Sequence, residues 1–285
     1  MTIALRRIGN PAALLICCLA SAHFAAAKSQ PLRVVATTTH LGALIREIGG
    51  QHVTVKTLTS PGSCPGHYDI RPGDVRAASR ARILFVHGYE GYVERLRQAA
   101  GGKVRVLQVG VKGNWLVPKA QARAAAQMAR LLAAERPGLQ RVFHDRAARF
   151  RRRIGEVAGA LRKRTLQAGL PRVAVLCSDQ QAELAQWLGM RVVAAYPRPE
   201  EMGPAAMSSL ARQGRQQRVR LVIDNLQSGP RAGAQLAQQI GAAHVCLSNF
   251  PGGFAGTQTW EKCLDDNVRR IIAAVRRQRA VGDRD

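Results

Sequence analysis

The sequence is poor in acidic and aromatic residues, and both shortages limit what it can be. Its 285 residues include 18 Asp and Glu against 43 Lys and Arg, which gives a formal net charge of +25, and 5% are aromatic. With 46% apolar residues, the chain is too hydrophobic for an intrinsically disordered protein. With 6 Cys and 27 Gly, it is neither a disulfide scaffold nor a collagen. No apolar run reaches the roughly 18–20 residues that a membrane-spanning helix needs.

Signatures of the common catalytic classes are also absent. The chain contains no Gly-x-Ser-x-Gly elbow, no Gly-x-x-x-x-Gly-Lys-Ser/Thr phosphate loop and no His-Glu-x-x-His metalloprotease helix. The positive charge could serve nucleic acid, but the scarcity of aromatic residues and an export signal argue against that partner. We therefore expect neither an enzyme nor a nucleic-acid-binding protein.

The N-terminus has the pattern of a secretory signal peptide. Arg6 and Arg7 are followed by an apolar stretch over 12–22, and small residues then occupy 25–27. This order predicts a signal peptide over residues 1–27, cleavage near Ala27 and a periplasmic protein. The periplasm is oxidising, so disulfides are permitted, and any of three pairings is open to the remaining cysteines: Cys64, Cys177, Cys246 and Cys263.

Short β-branched runs alternate with helical patterns in two parts of the chain, one starting at Leu32 and the other at Val173. The segment over 118–167 between them has almost no strand formers and predicts helices, with one long helix over 139–167. Strands that alternate with helices indicate parallel sheets covered on both faces. The predicted fold is α/β, with two lobes built on parallel sheets and joined by a long connecting helix. Its predicted parts are an N-terminal lobe over 28–112, a connecting region over 113–169 and a C-terminal lobe over 170–285.

Most of the scarce metal-competent side chains follow predicted strands, where open parallel sheets bind ligands. Cys64 and His67 follow the second strand, His87 ends the third, and Cys177 follows the first strand of the second lobe. Imidazole and thiolate groups together suit zinc, or softer ions such as copper(I). We predict a metal site built from His67, His87, Cys64 and Cys177. His40 is interpreted as an ordinary residue of the first helix.

Four stretches of the mature chain together form a specific pattern: Val34–Thr39, Ser60–Asp69, Trp115–Pro118 and Pro251–Gly253. With these stretches the chain resembles the periplasmic solute-binding proteins of zinc/manganese-type metal ABC transporters. The resemblance implies two α/β lobes, a rigid connecting helix and a transition metal held in the cleft by three His and one carboxylate.

The ligand set implied by that resemblance is only partly present. The chain has Cys64-Pro65-Gly66-His67-Tyr68 where the family has Asp-Pro-His-x-Tyr, so the imidazole is displaced by one position. The remaining family ligands fall near Asn114, Ser178 and Asn249, none of which is a His or a carboxylate. The sequence therefore leaves two outcomes open. The chain either binds a metal ion through other residues, or it no longer binds a bare ion.

The signal peptide and the resemblance together imply a monomeric periplasmic binding protein that delivers its cargo to the membrane permease of an ABC transporter. Zinc is the predicted cargo, and manganese, copper or another transition metal are the alternative ions. One alternative is a protein of the same fold that carries a metal chelate or another small solute. A second alternative is a basic periplasmic protein that binds polyanions.

Overall fold

The structure, a computed structural model, describes residues 30–282 and contains two four-stranded parallel sheets. The first sheet has the order β2-β1-β3-β4 and the second has the order β6-β5-β7-β8, so the two lobes share one topology. The predicted signal peptide lies outside the described residues. The strands are β1 (Leu32–Ala36), β2 (Val53–Thr57), β3 (Ile83–Val86), β4 (Arg105–Gln108), β5 (Ala174–Ser178), β6 (Arg191–Tyr196), β7 (Leu221–Asn225) and β8 (Ala243–Leu247).

Helices cover both faces of each sheet. The inner strands β1, β3, β5 and β7 are largely buried as a result. Among the described residues, none of these helices combines the length and hydropathy that crossing a bilayer requires. The helices are α1 (Thr39–Gly49), α2 (Pro72–Ser79), α3 (Val93–Ala99), α4 (Pro118–Glu135), α5 (Gln140–Gln167), α6 (Asp179–Trp187), α7 (Pro204–Gln216), α8 (Arg231–Ile240) and α9 (Trp260–Gly282).

Local sequence signals fix the first helix at the end of the central strand β1. Thr38 caps α1, because its side-chain oxygen accepts a hydrogen bond from the backbone N–H of Leu41 at 3.2 Å. The helix ends at Gly50, whose φ of 54° lies in the left-handed region that favours glycine. This short, capped helix therefore starts directly at the carboxyl edge of the first sheet.

The long helix α5 joins the two lobes, as the sequence predicts. Its apolar side packs into a core that also contains residues of both sheets, and its arginines bond to both lobes. Arg153 Nη2 lies 2.6 Å from Glu47 Oε1 on α1, and its Nε lies 3.4 Å from Glu261 Oε1 on α9. The predicted α/β fold with two parallel-sheet lobes and a connecting helix is thus confirmed. The predicted lobe boundaries stay a prediction.

Strands β5 and β7 of the second lobe extend further than the sequence pattern indicates, which predicts strands over Val173–Leu176 and Leu221–Ile223. β5 continues to Ser178, so Cys177 lies inside this strand and not after it, and β7 continues through Asp224 to Asn225. Asp224 is tolerated in a buried strand because Tyr196 Oη donates to its Oδ1 at 2.7 Å and His244 Nε2 lies 2.8 Å from its Oδ2. Partners from β6 and β8, distant in the sequence, thus satisfy a carboxylate that would otherwise end the strand.

Candidate metal-binding cleft

The carboxyl ends of strands from both sheets border one cavity of about 530 Å³. This is the position at which open parallel sheets bind ligands. The cavity is within the range of small-molecule sites, roughly 300–1,000 Å³. Its polar lining comes from both lobes and includes His40, His87, Asn114, Asp179, Gln180, Glu183 and Asn249.

His87 follows β3 directly and offers the cavity a neutral imidazole. Burial lowers its pKa from 6.5 to about 3, so the ring is in its metal-binding form at neutral pH. Its Nε2 lies 2.9 Å from Thr38 Oγ1. If Nε2 donates its proton to that hydroxyl oxygen, Nδ1 keeps a free lone pair, which is the usual arrangement around a metal-bound histidine. Trp115 packs edge-on at 4.4 Å between ring centroids and holds the imidazole in place.

His40, in the first turn of α1, is buried and bridges the two lobes. Its Nδ1 lies 3.2 Å from the backbone oxygen of Asn249, and its Nε2 lies 3.0 Å from the carboxamide of Gln121. Burial, assisted by nearby His87, lowers its pKa to about 3, so the ring is neutral and donates only one proton. Nδ1–H donates to the backbone oxygen of Asn249, and Nε2 faces the side-chain oxygen Oε1 of Gln121. Both ring nitrogens are occupied by the protein itself.

Neutral carboxamides connect the segment before α4 to the second lobe. Asn249 Oδ1 accepts hydrogen bonds from Asn114 Nδ2 at 2.9 Å and from Gln181 Nε2 at 3.1 Å. Asn249 Nδ2 and Asn114 Nδ2 both donate to the backbone oxygen of Gln180, at 3.1 and 2.9 Å. The positions at which the resemblance implies two further ligands, near 114 and 249, thus hold amides that bond to one another. We call Asn114, Gln180, Gln181 and Asn249 the amide bridge.

Gln227 fastens the second lobe to the loop that carries Cys64 and His67. Its Nε2 donates to the backbone oxygen of Pro61 at 2.6 Å and to Ser248 Oγ at 2.9 Å. Its Oε1 accepts the backbone N–H of Asn249 at 3.0 Å. This amide therefore connects the loop, the end of β8 and the amide bridge.

Two carboxylates of α6 face the cavity from the second lobe. Asp179 Oδ1 accepts the backbone N–H of Gln180 at 2.6 Å, and Glu183 Oε2 accepts the backbone N–H of Asn114 at 2.6 Å. Each carboxylate uses only one oxygen in these bonds, so a second oxygen remains for a solute. Asp179 directly follows β5, a position that a sequence pattern can indicate, but nothing in the local pattern indicates Glu183.

The four predicted ligands lie in different surroundings. His87 lines the cavity, whereas His67 is exposed in its loop. Cys64 is a half-buried free thiol that lines a neighbouring cavity of about 440 Å³ together with Asn249. Cys177 is fully buried in β5, and burial raises the pKa of its thiol to about 12. Within residues 30–282, no three His, Cys, Asp or Glu side chains are grouped so that they could hold a metal ion. Ligation by these four residues stays a prediction.

Sequence reasoning missed the role of His40. It interprets this residue as an ordinary helix residue, but the partner that decides its role, Asn249, is 209 residues away in the chain. One signal could have indicated it: His40 lies in the first turn of the helix that follows the central strand β1, at the edge of the sheet where ligands bind.

A family model described as zinc-uptake complex component A, periplasmic, matches residues 34–274. The manganese-binding lipoprotein MntA of Bacillus subtilis is 31% identical over 98 residues, which is 33% of this chain and 32% of MntA. The matched part therefore spans about a third of the length of this curated relative.

Solved structures share the fold. A crystal structure of ZnuA superposes with a TM-score of 0.73 at 19% identity and covers 86% of this chain and 99% of that one. A manganese-bound periplasmic metal-binding protein from Candidatus Liberibacter asiaticus has a TM-score of 0.73 at 16% identity, with 85% and 98% of the chains covered. At these identities the likeness shows the fold alone. The match of the family model covers most of the chain, and it identifies the chain as a periplasmic solute-binding protein, not an enzyme, that belongs to the family of zinc-uptake complex component A.

Proposed function

We propose that this chain is the extracytoplasmic binding component of an ABC importer for a transition metal. It would capture the metal in the cleft between its lobes and deliver it to a membrane permease. The observation that carries the proposal is the cavity of about 530 Å³ at the carboxyl ends of both sheets, with the neutral imidazole of His87 on its wall. Membership in the family supports it.

His87 is the donor that we propose as the primary ligand. Its Nδ1 has no hydrogen-bond partner among the described residues, whereas both nitrogens of His40 have one. The free carboxylate oxygens of Asp179 and Glu183 line the same cavity from the opposite lobe. Because these three side chains are not grouped to hold an ion in this structure, an ion between the lobes would need a movement that brings the carboxylates of α6, or the loop with Cys64 and His67, to the imidazole.

Zinc is the ion that we propose for this site. Zinc accepts nitrogen, sulfur and oxygen ligands in one tetrahedral shell, and this matches the mixture of donors around the cleft. Manganese prefers oxygen ligands, but only two of the five donors that we name around the cleft, Asp179 and Glu183, are carboxylates. Equilibrium dialysis of the purified protein against zinc, manganese and copper(I), followed by elemental analysis, tests the choice. Retention of manganese in preference to zinc would contradict it.

A metal chelate is a second candidate cargo, favoured by the size of the cavity and by the amide bridge. A bare ion fills a small fraction of about 530 Å³. A chelate brings its own ligands and needs mainly hydrogen-bonding groups from the protein, which carboxamides provide. Calorimetric titration with zinc alone and with zinc bound to citrate separates the two. Binding of zinc citrate with no binding of free zinc would establish the chelate as cargo.

A further inference from the structure

Five arginines surround a cavity of about 430 Å³ far from the cleft, at the amino-terminal edge of the second sheet. Arg191 begins β6, and Arg172 and Arg220 precede β5 and β7, so the parallel register brings these three to the same edge. Arg218 comes from the turn before β7, and Arg279 comes from the last turn of α9. Four separate segments of the chain thus place guanidinium groups around one concavity, which we call the arginine pocket.

Residues 30–282 place no acidic side chain in the arginine pocket. Its lining contains no Asp or Glu, and none of its five arginines forms a salt bridge within the described residues. Only Arg191 has side-chain hydrogen bonds there, both to Gln217, with distances of 3.0 Å to Oε1 and 3.0 Å to the backbone oxygen. Five positive charges therefore face a shared cavity with their donors largely unused.

The equivalent edge of the first sheet shows that an arginine-rich composition does not by itself produce such a pocket. There, Arg82 precedes β3 as Arg220 precedes its counterpart β7, and Arg105 begins the neighbouring strand β4. Both contact the carboxylate of Glu135, whose side chain is 3% exposed. The edge arginines of the first lobe thus share a buried acid, whereas those of the second lobe have no acidic partner among the described residues.

We infer that the arginine pocket binds a phosphate group. The planar guanidinium fork matches two phosphate oxygens at once, and charge-assisted bonds of this kind are about twice as strong as neutral ones. Several forks around one cavity can share the oxygens of a single phosphate, which relieves their mutual repulsion. A free phosphate ion and the phosphate of a lipid headgroup offer the same chemistry. The inference is independent of the cargo that the cleft carries.

The test compares the full-length mature protein with two variants of equal charge loss. Arg220→Gln with Arg279→Gln removes two arginines of the pocket, and Arg149→Gln with Arg152→Gln removes two exposed arginines of α5 that have no salt bridge among the described residues. One arm measures binding of inorganic phosphate by calorimetry. The other measures sedimentation with vesicles of phosphatidylcholine that contain phosphatidylglycerol, against vesicles of phosphatidylcholine alone.

Arg220→Gln with Arg279→Gln should weaken binding of the phosphate probe about thirtyfold, because each arginine removed costs about 1 kcal/mol. Arg149→Gln with Arg152→Gln should weaken it clearly less. Loss in both arms supports a pocket that accepts lipid phosphate as well as the free ion. Loss in the phosphate arm alone supports a site for free phosphate. If the two variants weaken binding equally, or if the wild type binds neither probe, the inference is wrong.

Discussion

The two lobes repeat one topology, yet they contribute different chemistry to the cleft. The first lobe places two buried neutral imidazoles there, His40 and His87. The second lobe contributes mainly carboxamides, with Asn249 at the centre of the amide bridge. Most of the hydrogen bonds across the cleft thus come from groups that carry no charge, and the Glu183 carboxylate, which accepts the backbone N–H of Asn114, is the exception. The comparison separates two tasks: carboxamides and His40 hold the lobes together, and His87 and the α6 carboxylates are left for the cargo.

Breaking the amide bridge should have the largest effect on stability. Asn249→Ala removes three side-chain hydrogen bonds and leaves Asn114 and Gln181 without one of their partners. We expect the free energy of unfolding to fall by about 2–3 kcal/mol, measured by urea denaturation. Gln213→Ala, on the exposed surface of α7, is the control and should stay within about 0.5 kcal/mol of wild type. An equal loss in both variants would show that the bridge does not stabilise the closed lobes.

The buried imidazole of His40 should make the protein sensitive to acid. An unfolded His40 takes up a proton near pH 6.5, whereas the folded one stays neutral down to about pH 3. Between these values the unfolded state binds more protons, so stability falls as the pH falls. From pH 6.5 to pH 5 this contributes about 2 kcal/mol, and His40→Gln should remove that contribution.

Denaturation curves at several pH values measure this slope. His87 has the same direction of pKa shift, so part of the slope remains in His40→Gln. His144→Gln on the exposed side of α5 is the matched control and should keep the full slope. A slope in His40→Gln as steep as in wild type would contradict the burial of a neutral His40.

Removing the exposed imidazole of His67 should have the smallest effect on the metal-free protein. Its side chain has no hydrogen bond among the described residues, so His67→Ala should change the free energy of unfolding by less than about 0.5 kcal/mol. The sequence predicts that the same change removes most of the stabilisation by zinc. Thermal melts with and without zinc measure both effects. An unchanged zinc effect would show that His67 is not a ligand.

The fold is predictable from the sequence because its signals are local. Pro72 and Pro118 begin helices, Gly49 and Gly50 end one, and β-branched runs such as Val53–Thr57 form strands over the predicted range. The two longer strands of the second lobe escaped prediction because distant partners, such as Tyr196 for Asp224, satisfy their polar residues.

The candidate site is predictable only in part, for the same physical reason. His87 could be proposed because it directly follows a strand. The bond between His40 and Asn249 and the pairing of Asn114 with Asn249 join residues 209 and 135 positions apart, and no local pattern encodes them. The resemblance indicates that the usual ligands are missing near 114 and 249, but only the structure shows the hydrogen bonds that occupy those positions.

The most direct test of the proposed cargo site is a thermal melt with and without zinc for wild type, His87→Ala and His144→Ala. A hundredfold excess of zinc over its Kd should stabilise wild type by about 2.7 kcal/mol. His144→Ala, on the exposed side of α5, should keep this gain, and His87→Ala should lose most of it because the cleft loses the imidazole with the free Nδ1. Equal stabilisation of all three proteins, or of none, would contradict a zinc site at His87.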